Sequence, residues 1–233
     1  MNERMVHTPI IINKWLCHKF ECFSDFVKLY SIDESRFYLE LFAGGGIYTC
    51  KDTECLVDGT ELRALKDDFE KCIFIVNNVK DARNLKKLIS LIKAKSPIVI
   101  GNCINDKTLH LAFNLIPRSG SSLAFIDPPG YSKLRWSTIK KMAAHGMDWK
   151  GHKMDLLIVF PLEMALLRNL TRPDCEASIN RFFGNYDWQP IRQKLLVNKI
   201  GNSEARKRLV SLYKKGLKRL GYRYVDNIKP FEE

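Results

Sequence analysis

Between residues 37 and 160 the chain repeats one pattern: a short, dominantly apolar run, then a stretch with apolar residues at helical spacing. The runs are 37–42, 72–76, 97–100, 122–126 and 155–160, and the stretches between them are 62–69, 81–93, 107–115 and 137–144, with another helix from Leu162. A strand that is apolar on both faces must be covered on both. Helices that connect successive parallel strands supply this cover. The pattern therefore predicts an α/β fold with a doubly wound, mostly parallel sheet of Rossmann-like type.

The flanks add helices. Ile11, Trp15, Leu16, Phe20, Phe23, Phe26, Val27 and Tyr30 have helical spacing and predict one or two amphipathic helices over 7–30. A basic helix is predicted from Ser203, as its N-cap, to Leu220, with Gly221 ending it and 222–225 forming a sixth strand. We read residues 1–233 as one domain, with 1–35 as a helical extension and 173–220 as a helical segment packed on it.

The charge narrows the partners. A formal charge of +12 attracts polyanions, which puts nucleic acid first. No apolar stretch approaches the roughly 20 residues that cross a bilayer, and no signal peptide opens the chain, so no membrane is expected. Seven cysteines, an odd number scattered along the chain, fit free thiols in a reducing cytoplasm. Cys17 and Cys22, like Cys50 and Cys55, are spaced more widely than most zinc-ligand pairs, and no metal is expected.

Two motifs carry chemistry. Glu40-Leu41-Phe42-Ala43-Gly44-Gly45-Gly46 ends the first predicted strand. Glycines there let the backbone approach a ligand, and the carboxylate can meet the ammonium of a methionine moiety. No helix opens directly behind it, as a pyrophosphate-binding loop would require, so the loop favours S-adenosylmethionine (SAM) over a dinucleotide. Glu40, Phe42, Ala43, Gly44 and Gly46 are the candidate cofactor residues, with Asn77 for the ribose and Asn102 for the adenine edge. Neither Asn77 nor Asn78 is the acid usual at the end of a second strand. The second motif is Asp127-Pro128-Pro129-Gly130-Tyr131. A carboxylate and a proline-fixed carbonyl can accept both N–H bonds of an exocyclic base amine. Tyr131, one place later than the aromatic of amino-methyltransferases, is the candidate for stacking the base. Carbon-5 pyrimidine methylation needs a cysteine nucleophile, which this loop lacks. Lys214, Lys215, Lys218 and Arg219 are candidate phosphate contacts. Trp136 and Trp188 read as core, and Glu163 as a helix-start acid.

Taken in order, the chain resembles the three-Cys-motif partner family of class I methyltransferase-like proteins. The match runs through His7, the segments 38–44, 101–105, 125–130, 136–139, 155–161 and 182–184, then Trp188, Tyr213 and 220–222. The resemblance implies a class I methyltransferase fold, a SAM site at the glycine loop and a partner protein bearing a cysteine motif. Glu40 stands where the family usually has Asp, and the chain stops at Glu233, so the family's seventh, antiparallel strand is expected to be absent or replaced, leaving an edge to be covered. Three functions follow as expectations: a SAM-dependent methyltransferase on a base amine, a catalytically silent nucleic-acid- or partner-binding module, or a methyltransferase for small molecules or protein.

Overall fold

The computed structural model describes residues 10–12, 14–29, 36–94, 97–103, 105–118, 120–145 and 153–227. In chain order its elements are β1 (Ile10–Ile12), α1 (Lys14–Leu29), β2 (Arg36–Leu41), β3 (Ile47–Cys50), β4 (Leu56–Asp58) and α2 (Thr60–Leu65). There follow β5 (Lys71–Val76), α3 (Val79–Leu91), β6 (Ile98–Ile100), α4 (Asp106–Phe113), β7 (Ser121–Ile126), α5 (Trp136–Ala144) and β8 (Asp155–Ile158). A π-helical turn (Leu162–Leu166) leads into α6 (Leu167–Asn169), then α7 (Glu176–Phe183), α8 (Gln189–Leu196) and α9 (Asn202–Arg219). His7 and the break at 33–35 lie outside the described residues, as does the side chain of Glu163.

The five predicted inner strands form one parallel sheet in the order β6-β5-β2-β7-β8, flanked by helices. Numbered within the sheet, that is 3-2-1-4-5, the doubly wound order. The chain winds from β2 out to β6, then restarts on the other side of β2 at β7. Leu41 stands opposite Ile75 on one side and Ile126 on the other, so β2, β5 and β7 end at one level. All positions of β2 and β7 are buried, which is why these runs lack the polar alternation of a half-exposed strand.

The described residues divide into two compact units. The first holds residues up to Ile126 together with Asp155–Leu157, and the second Asp127–Met154 and Ile158–Lys229. In the first, α1 packs on the sheet through Phe23, whose ring lies 5.9 Å from Tyr38 and 4.9 Å from Phe125. α3 contributes Ala82, Leu85 and Ile89 to the core, and α4 contributes Leu109 and Ala112. In the second, Tyr213 of α9 is surrounded by Phe160, Phe182, Phe183 and Trp136, at ring separations of 4.9–6.0 Å. Trp188 is fully buried, with its Nε1–H donated to Asn180 at 2.7 Å, and is core as expected, whereas Trp136 is half-buried with its ring edge-on to Tyr213.

Three local expectations are corrected. The Ile10-Ile11-Ile12 run is a strand, because three β-branched residues in a row suit a sheet better than a helix. It pairs in parallel with β3, and β3 forms a hairpin with β4, giving a second sheet that sequence periodicity did not reveal. Ser203 lies inside α9, whose N-cap is Gly201 with no capping side chain. Residues 222–225 form no strand: Tyr222 instead donates its hydroxyl to the Met154 carbonyl at 2.9 Å, and Tyr224 is exposed. Gly221 does end α9, at φ +89°, and the Lys153 ammonium donates to the carbonyl of Leu220.

The Tyr213 hydroxyl is buried with no hydrogen-bond partner among the described residues, and burial pushes its phenol far above the ordinary range. The neutral phenol is favoured in the fold, so this stability is complete below about pH 10 and lost as pH rises past it. Tyr213→Phe should raise stability by about 1 kcal/mol at neutral pH and flatten the alkaline decline. Urea midpoints from pH 7 to 11 measure both effects.

Candidate functional site

Glu40 points into the sheet face rather than out of the strand end. Period-two alternation sets it beside Phe74 and Phe125, its register partners on β5 and β7. It is 2% exposed, and its two oxygens accept hydrogen bonds from the Tyr38 hydroxyl (3.0 Å) and the Thr60 hydroxyl (2.6 Å). Burial pushes the Tyr38 phenol well above its ordinary range, and Glu40 beside it adds to the push, so Tyr38 remains a donor. Glu40 thus fastens the first residue of α2 to β2.

The glycine loop starts with a sharp turn. Phe42 adopts φ +68°, the left-handed region that a bulky side chain rarely enters. The turn directs the Ala43 N–H to the Ile75 carbonyl at 3.0 Å, which ties the loop to β5. The Gly44 N–H is donated to the buried Glu61 carboxyl, and a Cβ at Gly44 would overlap the Tyr48 hydroxyl. Gly46, at φ +87°, returns the chain into β3, and its carbonyl accepts the Gly59 N–H at 2.8 Å. Gly44 is therefore required by Tyr48 and Glu61 of the protein itself.

Gly45 differs. A Cβ there would meet Asp81 Oδ1 at 3.5 Å and Asn84 at 3.8 Å, ordinary contact distances. Asp81 and Asn84 belong to the first half of α3, so this helix brings a carboxylate and an amide to the loop. Asn84 Oδ1 is buried with no hydrogen-bond partner among the described residues. Asn78 Oδ1 accepts the Lys80 N–H at 2.8 Å and caps α3, while Asn77 and Asn102 are exposed at the carboxyl ends of β5 and β6. Sequence reading stopped at Asn77-Asn78 and missed Asp81. The signal was an acid in the first turn of the next helix, one turn beyond the strand end.

The diproline bend is described within the second unit. Asp127 is half-buried, Pro128 buried and Pro129 exposed. Tyr131, at 4% exposure, opens a 3₁₀ turn (Tyr131–Lys133). Its hydroxyl is hydrogen-bonded to that of Ser178 (3.2 Å), and the Phe182 ring packs edge-on at 6.2 Å. The ring is an anchor of the bend and is not presented on the surface. On α9, Ala205, Leu209, Tyr213 and Leu217 face inward, while Lys215, Lys218 and Arg219 are exposed. Lys214 pairs with Asp226 (3.1 Å) and Arg219 with Asp187 (3.4 Å).

Among the described residues no helix is long and apolar enough to cross a membrane. No protein-family model, curated protein or solved structure matches this chain.

The two neighbouring glycines give opposite expectations. Gly44→Ala should cost about 1–3 kcal/mol through overlap with Tyr48. Gly45→Ala should leave the urea midpoint within about 0.5 kcal/mol of the parent. Thr60→Val leaves the buried Glu40 oxygen without its donor and should cost about 1.5–3 kcal/mol.

Proposed function

We propose that the chain is a SAM-dependent methyltransferase acting on an exocyclic amine of a nucleic-acid base. One observation carries this reading: the glycine loop follows β2 and the diproline motif follows β7, the neighbouring strands at which the winding reverses. In open α/β sheets ligands bind outside the carboxyl ends of the strands at such a switch point. The resemblance to the three-Cys-motif partner family supports a SAM site at the glycine loop and a cysteine-motif partner protein.

The residues at the loop suit such a cofactor. The backbone of residues 42–46, Asn77 and Asn102 would hold it, joined by Asp81 and the unsatisfied Asn84 Oδ1 as acceptors for its hydroxyl or ammonium groups. SAM supplies an electrophilic methyl group on a sulfonium. Asp127 and the Pro128 carbonyl would accept the two N–H bonds of the amine, drawing its lone pair out of the ring. Tyr131 keeps the bend in place from beneath. The chain's excess positive charge favours a polyanionic substrate.

A second reading, a silent nucleic-acid-binding module, is favoured by the inward carboxyl of Glu40, which is already shared by Tyr38 and Thr60. Calorimetry separates the two. The enzyme should bind SAM, with Asp81→Asn weakening it about tenfold and Gly45→Ala lowering affinity without lowering stability. No heat at near-millimolar SAM favours the silent module. Labelled SAM incubated with total cellular RNA or DNA should transfer label, and Asp127→Ala should reduce the rate about 100-fold or more.

A further inference from the structure

Two segments that each carry an exposed tyrosine are tethered to α9 by ion pairs. An α-helix turns about 100° per residue, so Lys214, Lys218, Lys215 and Arg219 follow one another around the outer face of α9 in that order. Lys214, at one margin, pairs with Asp226 at 3.1 Å, which holds the 222–226 segment there. Arg219, at the other, pairs with Asp187 at 3.4 Å, which holds the turn after α7 there. Each tethered segment carries a tyrosine whose ring is on the surface: Tyr224, 96% exposed, and Tyr186, 63% exposed. Between them Lys215 and Lys218 have no carboxylate partner among the described residues. Arg223 adds an exposed cation beside Tyr224.

Exposed tyrosine rings present an apolar face and a polar tip to a partner. Here they lie on segments tethered to a helix with a row of cations, in a chain of net charge +12. Alternating phosphate contacts and stacking platforms are the chemistry that recognises unpaired nucleic acid, because the base faces are accessible only when the strand is single. A duplex keeps those faces stacked internally and would use the cations alone.

We propose that the outer face of α9, with Tyr186 and Tyr224 on the segments tethered to it, docks single-stranded nucleic acid. Lys215 and Lys218 take the backbone phosphates, and the two tyrosines stack on bases. This deepens the nucleic-acid part of the proposed function and is independent of its cofactor.

The test is fluorescence anisotropy of the full chain, without SAM, on a labelled mixed-sequence single strand and on its duplex. Single strand should bind more tightly than duplex. Tyr186→Ala with Tyr224→Ala should weaken single-strand binding about tenfold or more and leave its salt slope unchanged. Lys215→Glu with Lys218→Glu should weaken both ligands and reduce the single-strand slope of log Kd against log salt by about 1.4. All four side chains are exposed, so circular dichroism should be unaltered. Equal binding of the tyrosine variant and the parent overturns the proposal, as does duplex binding as tight as single-strand binding. Loss of label transfer in Asp127→Ala is read separately, so a failed docking surface and a failed methyltransferase are told apart.

Discussion

The Glu40 carboxyl, buried in an otherwise apolar sheet face, is the constraint on which the first unit depends. A carboxyl in that position is tolerated only if hydrogen bonds replace the water it has lost. Tyr38 supplies one from its own strand, and Thr60 supplies another from the start of α2. The demand of one side chain therefore fixes where a short helix begins. It also fixes the neighbour of Thr60: Glu61 reaches the Gly44 N–H and holds the glycine loop from below.

The loop is shaped from three directions as a result. Phe42 turns in the left-handed region, Ala43 bonds β5, and Gly46 accepts from Gly59. Such a conformation persists only when its surroundings over-determine it. Gly44 serves internal packing, whereas Gly45 lies against Asp81 and Asn84 of α3. Two glycines that are adjacent in the sequence thus meet different surroundings, one the Tyr48 hydroxyl and Glu61, the other the polar side chains of α3.

In the second unit an aromatic cluster plays the organising part. Tyr213 and the rings around it bury one face of α9 and leave the opposite face to cations. Because the apolar residues recur every fourth position from Ala205 to Leu217, the basic residues between them have nowhere to go but outward. Two ion pairs across residues distant in the chain tether to α9 the segments that carry Tyr224 and Tyr186.

The alternation of apolar runs and amphipathic stretches was enough for the sequence to determine the α/β class, the inner strands and most helices. Those are local consequences of period 2 and period 3.6, and they need no knowledge of the neighbours. It was not enough for Ile10–Ile12 or residues 222–225, where strand and non-strand differ only in whether a partner edge is offered. Motif reading located the glycine loop and the diproline bend, yet it could not tell which way Glu40 and Tyr131 point. Tertiary structure decided that Glu40 is shared by Tyr38 and Thr60, that Glu61 takes the Gly44 N–H while Asp81 lies beside Gly45, and that Tyr131 is packed away. Each outcome depends on contacts between residues far apart in the chain, and no local pattern of side chains encodes those.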